Sequence, residues 1–171
     1  MPGQGNRIDF VTGAPEKYAA LVDALSVAPN QYRAALGRVS DAVMRQEPAE
    51  PAGAWAPQRI LAHVAFIAEA NDVFIRQMAT MTEPVRAPFP SGFEAIDLEP
   101  LSVEALLDRI EEAVSRTVEL LGHTPDAAWG RPGYARGMRR SLKQMVATHA
   151  AHFDEHLAEM LRLLGAPVTS R

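Results

Sequence analysis

Four histidines in two stretches of the chain stand out, because imidazole nitrogens bind divalent metals. His149, His152 and His156 lie within eight residues near the C-terminus, and His63 lies in a separate apolar stretch, residues 60–67. On an α-helix, residues four apart lie on the same face, which is the relation between His152 and His156. Histidines that face an apolar core need a partner, and one divalent cation can serve several of them. The spacing therefore predicts a metal site.

Three of these four histidines are expected to share one ion. His149 and His156 are seven residues apart in sequence, about 10 Å along a helix axis, whereas each ligand nitrogen lies about 2.0–2.1 Å from its metal. His152 and His156 are therefore the predicted pair, and His63 on a facing helix would supply the third nitrogen. Three protein ligands leave one position for water or substrate, which is typical of a catalytic site. His149 is then expected beside the ligands or in the adjoining pocket.

The residues around the histidine pair exclude one class of metalloenzyme and restrict the ligand atoms. Zincin peptidases place a glutamate directly after the first histidine of HExxH, whereas Phe153 follows His152 here. The chain contains no cysteine, so the site must use nitrogen and oxygen, and any sulfur nucleophile has to arrive as a substrate. Neutral imidazoles bind zinc, nickel, iron and copper, and we expect zinc or nickel.

Several uncharged side chains are candidates for the pocket around the metal. Asn71 lies two turns beyond His63 on the same stripe, where it would contact substrate or satisfy a buried backbone group. Large aromatic residues near a helix start usually pack in the core, and a tyrosine in a Gly- and Pro-rich loop is usually exposed. We therefore weigh packing against a cleft role for Trp55 and Trp129, and exposure against substrate contact for Tyr134. The predicted pocket residues are His149, Asn71, Trp55 and Tyr134.

Two sets of charged residues could support the site, although such clusters are more often solvated surface. Arginines ahead of the last helix could pair with the carboxylates of a thiol cofactor. Acids near the histidines could orient an imidazole by accepting its N–H. The arginines are Arg136, Arg139 and Arg140, and the acids are Glu69, Asp154 and Glu155. His123 follows Gly122 at a helix end, where it is expected to cap the helix rather than bind metal.

Apolar residues recur at three- and four-residue steps in four stretches, and no alternating pattern predicts a strand. The first predicted helical stretch begins at Pro15, is interrupted at Pro29 and resumes from Asn30 to about Met44, as one kinked helix or two short ones. The other predicted helices run from Pro57 to about Met81, from the N-cap Ser102 to Gly122, and from about Ser141 to Leu164. Proline- and glycine-rich segments connect them, and the one from Pro84 to Pro100 could form part of a pocket wall. The fold class is therefore all-α, a four-helix bundle with long connections between helices 2 and 3 and between helices 3 and 4.

Composition limits the class of protein further. The 171 residues are 47% hydrophobic, which predicts one domain over residues 1–171, with residues 1–14 as a loose N-terminal segment. The net charge of −4 without a basic block disfavours nucleic acid and anionic membrane surfaces as partners. There is no signal-peptide pattern and no apolar run of about 20 residues, so a cytoplasmic location is expected. The apolar excess makes a homodimer a reasonable expectation.

The metal-site residues and their surroundings also resemble a known family. Trp55 and Pro57 precede the sequence from Ile60 to His63, and His152 and His156 lie four apart in the last helix. This combination resembles the DinB/YfiT-like superfamily of metalloenzymes over most of the chain. The resemblance implies an up-down-down-up four-helix bundle with a divalent metal at one end, held by the three histidines of this motif. It also implies kinship with thiol-dependent transferases and isomerases that use small bacterial thiols.

The residues and the resemblance together favour a metal-dependent enzyme acting on a small molecule. In this hypothesis the metal activates a low-molecular-weight thiol or water, which makes the protein an S-transferase or isomerase, or else a hydrolase. The alternative is a non-catalytic bundle in which the histidines hold a structural metal or none, and an apolar face serves dimerisation or partner binding. A free coordination position favours the first hypothesis, and a fourth protein ligand would favour the second.

Overall fold

The structure is a computed structural model of the chain and describes residues 16–89 and 97–165. The segment 1–14, the predicted helix start at Pro15 and part of the predicted connection from Pro84 to Pro100 lie outside these residues. The elements in chain order are a 3-10 turn at Glu16–Tyr18, α1 Ala19–Ser26, α2 Ala28–Leu36, α3 Asp41–Met44, α4 Pro57–Thr80, α5 Val103–Gly122, α6 Asp126–Trp129, β1 Pro132–Ala135, β2 Met138–Ser141 and α7 Leu142–Leu163. The α1–α2 pair, α4, α5 and α7 pack as a four-helix bundle, which confirms the predicted fold class.

Capping residues set the bounds of the three long helices. Pro57 occupies the first turn of α4, where its missing N–H costs nothing. The side chain of Ser102 accepts a hydrogen bond from Ala105 N at the start of α5. Ser141 and Gln144 form a capping box at the start of α7, each side chain accepting from the other's backbone N–H. The predicted bounds of these three helices are therefore correct to within about one residue.

The first stretch of the bundle forms two short helices, α1 and α2, which is one of the two predicted alternatives, but it differs from the prediction in two details. Pro29 lies in the first turn of α2 rather than in a break, and Val27 joins α1 to α2 with near-helical dihedral angles. The helix then ends at Leu36 instead of continuing to Met44. Ser40 adopts an extended conformation, and its side chain caps the separate helix α3. A serine that offers the backbone its own hydrogen bond favours a new helix start over a continued helix.

The sequence predicted no strand, and this is wrong for residues 132–141. They form an antiparallel two-stranded hairpin that leads directly into α7. Strands of four residues are too short for an alternating pattern to be distinguished, but the turn carries a signal that was missed. Arg136 and Gly137 both have positive φ angles, 52° and 73°, as the tight hairpin turns require. Gly133 lies so close to α4 that a Cβ atom there would come within 3.0 Å of Met78 Cγ.

Helix α4 lies between α5 and α7 and contributes buried residues toward both. Glu69 of α4 pairs with Arg109 of α5, and the later residue Asp72 of α4 pairs with the later residue Arg116 of α5. The two helices therefore run parallel, as expected for the up-down-down-up order, whose remaining steps stay a prediction. Within residues 16–89 and 97–165, every helix is too short or too polar to cross a lipid bilayer.

Candidate metal centre

The three predicted ligands meet where α4 faces α7. His63 projects from α4, His152 and His156 project from α7, and one nitrogen of each ring lies within 4.8 Å of the other two. The Nε2 atoms of His63 and His152 are 3.3 Å apart. Two nitrogens bound to one tetrahedral metal at about 2.0–2.1 Å would be separated by about 3.3 Å. The histidine nitrogens thus fit a divalent metal, and two of them already have the spacing of neighbouring ligands.

Each histidine ring is held by its surroundings. All three are half-buried, and their ring centroids are 4.4 to 5.4 Å apart. Trp55 packs its ring against His63 at 5.7 Å between centroids, and the guanidinium of Arg59 lies over Trp55 at 4.7 Å. Trp55 therefore both packs and borders the metal centre, so the two roles weighed for it are not exclusive.

Burial keeps two of the candidate ligands, His63 and His152, neutral. Burial, followed by the nearby His156 ring and the Arg136 guanidinium, lowers the pKa of His63 to about 4. Burial, followed by the His156 and His63 rings, lowers the pKa of His152 to about 3. A protonated imidazole cannot bind a metal, so near neutral pH protons do not compete for these two nitrogens.

A glutamate that the sequence analysis did not select orients His156. The Nδ1 atom of His156 donates a hydrogen bond to Glu159 Oε2 at 2.9 Å, which leaves Nε2 as the ligand atom. Metal-binding histidines usually donate their other N–H to a carboxylate or carbonyl in this way. The i, i+3 spacing on α7 was the available signal. Among the acids considered instead, Glu69 pairs with Arg109 at 2.8 Å.

His149 and Asn71 form a buried pair directly behind the ligands. His149 is 1% exposed and Asn71 is 4% exposed. The Nδ2 group of Asn71 donates to His149 Nδ1 at 2.9 Å, and burial lowers the pKa of His149 to about 3. His149 Nε2 and Asn71 Oδ1 have no hydrogen-bond partner within the described residues. Asn71 therefore bonds the side chain of His149 rather than a backbone group, and its Oδ1 atom can still accept a hydrogen bond.

A cavity of about 220 Å³ opens beside His63 and His152. Its remaining walls come from α4, α7, the hairpin and the segment after α4. The apolar lining residues are Ile67, Ala135, Met138 and Met145, and the polar ones are Asn71, Thr148, Arg86, Arg136 and Arg140. A small ligand in this cavity would therefore contact two of the three candidate metal ligands.

The arginines ahead of α7 divide between the cavity and the surface. Arg136 and Arg140 line the cavity, and Arg136 is at the same time exposed to solvent, as expected for this cluster. Arg139 is exposed and lies 3.8 Å from Glu83. Arg86, which sequence reasoning missed, also lines the cavity, because the connection that carries it packs against β1. No periodic pattern marks such a connection, so the sequence offered no signal for Arg86.

The remaining candidates lie in or near a second cavity, or away from the site. Tyr134 is half-buried in β1 and lines a neighbouring cavity of about 580 Å³ together with Arg86 and Arg136. Trp129 is fully buried, stacks on Tyr18 at 4.3 Å and donates its Nε1–H to the backbone, as its packing interpretation predicted. His123 occupies the C-cap position of α5, as expected for a capping residue.

Three solved structures share this fold. YfiT from Bacillus subtilis, a probable metal-dependent hydrolase with an unusual four-helix bundle topology, is 18% identical, with a TM-score of 0.78 over 90% of this chain and 91% of that chain. A mycothiol-dependent maleylpyruvate isomerase is 19% identical, with a TM-score of 0.69 over 83% of this chain. A mutant of a mycothiol-dependent maleylpyruvate isomerase is 20% identical, with a TM-score of 0.71 over 88% of this chain.

The chain is similar to only part of the isomerase, since it spans 60% of that protein's length. Comparison with curated protein sequences gave no match. The sequence profile of the DinB superfamily matches residues 24–160, a span that contains all three candidate metal ligands. The chain therefore belongs to the DinB superfamily, as the histidine motif predicted.

Proposed function

We propose that this protein is a metal-dependent enzyme that acts on a small molecule, with zinc or nickel held by His63, His152 and His156. The observation that carries the proposal is the meeting of three imidazoles from two helices, with two nitrogens 3.3 Å apart, at the edge of a cavity. A purely structural zinc site is normally closed by four protein ligands. The described residues supply three that can reach one ion.

A divalent metal bound by these histidines would lower the pKa of a thiol or water in its remaining position, producing a nucleophile near neutral pH. The chain's own residues prepare the site for that chemistry. Glu159 accepts the Nδ1–H of His156 and so fixes which nitrogen faces the metal. Trp55 restrains the ring of His63. The cavity beside His63 and His152 would hold the electrophilic substrate next to the nucleophile.

Within this proposal, a small thiol is the preferred nucleophile, which makes the protein an S-transferase or isomerase. The absence of cysteine supports it, because no protein thiol competes for the metal. The mycothiol dependence of one structural neighbour also supports it, although that likeness by itself establishes the fold alone. Water is the second candidate, making the protein a hydrolase, and the likeness to YfiT over nearly both whole chains favours keeping it.

Elemental analysis of protein prepared without a histidine tag tests the metal centre. Wild-type protein should bind about one zinc or nickel ion per chain, and His63→Ala should retain little of it. His123→Ala is the matched control, because it removes a histidine from an exposed helix end. Equal metal content in wild type and His63→Ala would overturn the proposal.

Cobalt substitution distinguishes thiol from water without knowledge of the substrate. Addition of a small thiol such as mycothiol to the cobalt protein should produce a sulfur-to-cobalt charge-transfer band, and the matching alcohol should not. If the band is absent and the protein hydrolyses an activated ester in a metal-dependent way, the proposed function becomes that of a hydrolase instead of a transferase. If the bound metal reacts neither with the thiol nor in ester hydrolysis, the result supports a non-catalytic bundle with a structural metal.

A further inference from the structure

Arg86 is held over the cavity by the backbone of its own segment. The backbone N–H of Arg86 donates to Tyr134 O at 2.8 Å, and the N–H of Tyr134 donates to Pro84 O at 2.9 Å. These bonds fasten the segment after α4 to strand β1, although the sequence suggested only a loop. The guanidinium lies over the Phe89 ring at 4.3 Å, and its Nη2 atom is buried without a hydrogen-bond partner among residues 16–89 and 97–165.

A second arginine faces the same space from the hairpin. Arg136 occupies the turn between β1 and β2, and both Arg86 and Arg136 line the 220 Å³ cavity and the neighbouring 580 Å³ cavity. The two guanidinium groups interact unfavourably: burial and then the charge of Arg136 lower the pKa of Arg86. Neither side chain forms an ion pair within the described part of the chain, whereas Arg33, Arg109 and Arg116 each pair with acids.

The half-buried Arg86 has no counter-charge among the described residues, the exposed Arg136 adds a second positive charge beside it, and a metal at the three histidines would add more. The arrangement becomes favourable when an anion enters the cavity. A carboxylate matches it best, because its two oxygens fit the planar guanidinium fork. The cavity is smaller than the roughly 300–1,000 Å³ usual for ligand pockets. This size indicates a small ligand, or a longer one that passes the two arginines into the second cavity.

We propose that the substrate is a small carboxylate, and that Arg86 and Arg136 bind its carboxylate group next to the metal position of His63 and His152. The inference rests on the proposed function and specifies its substrate class. Asn71, fixed by its hydrogen bond to His149, lines the same cavity, and its Oδ1 atom has no partner among the described residues.

Titration of the protein with succinate, followed by NMR, tests the arginine pair directly. The metal-free protein should bind succinate, because the arginines are independent of the metal, and zinc should strengthen the binding. Succinamide, which has the same shape without charge, should bind at least about tenfold more weakly. Inorganic phosphate should also bind more weakly than succinate. Tighter binding of phosphate would overturn the carboxylate assignment.

Single substitutions test whether Arg86 and Arg136 are the residues that bind succinate. Arg86→Met should weaken succinate binding by about tenfold or more, and the more exposed Arg136→Asn by several-fold. Asparagine tolerates the positive φ angle of residue 136, so that variant keeps the turn and its fold. Arg139→Asn is the matched control, since Arg139 is exposed and faces Glu83. Its binding should equal that of wild type.

Three outcomes would overturn the inference: equal binding of succinate and succinamide, wild-type affinity in Arg136→Asn, or equal losses in Arg136→Asn and Arg139→Asn. Equal losses in these two variants would show that succinate responds only to the net charge of the protein and not to a specific arginine. Failure of this inference is distinguishable from failure of the proposed function. Zinc binding without succinate binding removes the carboxylate site alone, and succinate binding without zinc binding removes the metal centre alone.

Discussion

Two consecutive residues of α4, Asn71 and Asp72, are both buried, yet they face different partners. Asp72 points to α5, where its oxygens accept from Arg116 Nε at 2.8 Å and from Thr117 Oγ1 at 3.2 Å. Asn71 points to α7, where it donates to His149, and its Oδ1 has no partner in the part of the chain that the structure describes. Asp72 is thus fully paired on the α5 side, whereas Asn71 is not on the α7 side.

This difference separates a structural interface from a functional one. A buried polar atom without a partner costs about 1–3 kcal/mol. Among the described residues, four that belong to or adjoin the candidate metal centre carry such atoms: Asn71, His149, His152 and Arg86. Gln58 Oε1 and Arg109 Nε are two further atoms of this kind away from that site, and Arg109 Nε lies 2.8 Å from Glu69 Oε1. A protein keeps unsatisfied groups together where a ligand or ion completes them. Metal binding, acid stability and single substitutions can each test whether the two sides of α4 differ in this way.

The largest expected effect is stabilisation by the metal. Because an ion bound only to the folded state stabilises it, zinc or nickel at about 1,000 times its dissociation constant should raise the free energy of unfolding by about 4 kcal/mol. His152→Ala should abolish this gain, and Asp72→Asn should keep it. Urea unfolding with and without metal measures both. If metal still stabilised His152→Ala against urea, the metal would not depend on the α7 side of α4, and the proposed difference between the α5 and α7 sides would be wrong.

Acid should destabilise the metal-free protein through the α7 side. The pKa of His149 is about 3 in the fold because of burial, but about 6.5 in the unfolded chain. Below about pH 6.5 the unfolded chain binds a proton that the folded chain excludes, so stability falls with pH by up to about 1.4 kcal/mol per unit, or about 3 kcal/mol by pH 4. His63 and His152 act in the same direction.

Urea unfolding of metal-free wild type and His149→Gln between pH 4 and pH 8 isolates this contribution. Glutamine keeps a polar side chain near Asn71 but does not titrate. The stability difference between the two proteins should therefore shrink or reverse as the pH falls. A difference that stays constant with pH would show that His149 is not the buried neutral group described above.

On the α5 side, Asp72→Asn should lower the free energy of unfolding by about 2 kcal/mol, because the charge-assisted bond from Arg116 is lost. The metal content of the folded protein should not change. Calorimetric melting and elemental analysis of the same sample provide the two measurements. Loss of metal in this variant would mean that the two sides of α4 are coupled rather than separate.

The smallest effect is expected for Glu159→Gln. The amide still accepts the Nδ1–H of His156 but carries no charge, so the ligand nitrogen becomes less basic. Metal affinity should fall by about tenfold, which corresponds to about 1.4 kcal/mol. Glu155→Gln is the control, because that acid is exposed on the same helix. Competition with a chelator measures the affinities, and equal values would exclude the proposed role of Glu159.

Much of the bundle could be predicted from local sequence signals. The helices α4, α5 and α7 carry their own apolar stripes and caps, so their bounds depend little on the rest of the chain. The hairpin at residues 132–141 could not be predicted in this way, because four-residue strands become stable only against the bundle. The early end of α2 also depends on a local competition, in which Ser40 caps a new helix.

The sequence by itself determined that three histidines lie on helix faces directed inward, since an i, i+4 pair and an apolar stripe follow from helical geometry alone. Only the tertiary structure decided which side chains line the cavity next to these histidines. Arg86 and Arg136 come from a connection and a turn that are 50 residues apart in sequence, and backbone hydrogen bonds to Tyr134 place the first of them at the cavity. Such a meeting depends on how α4, the hairpin and α7 pack together, which no local pattern in the chain encodes.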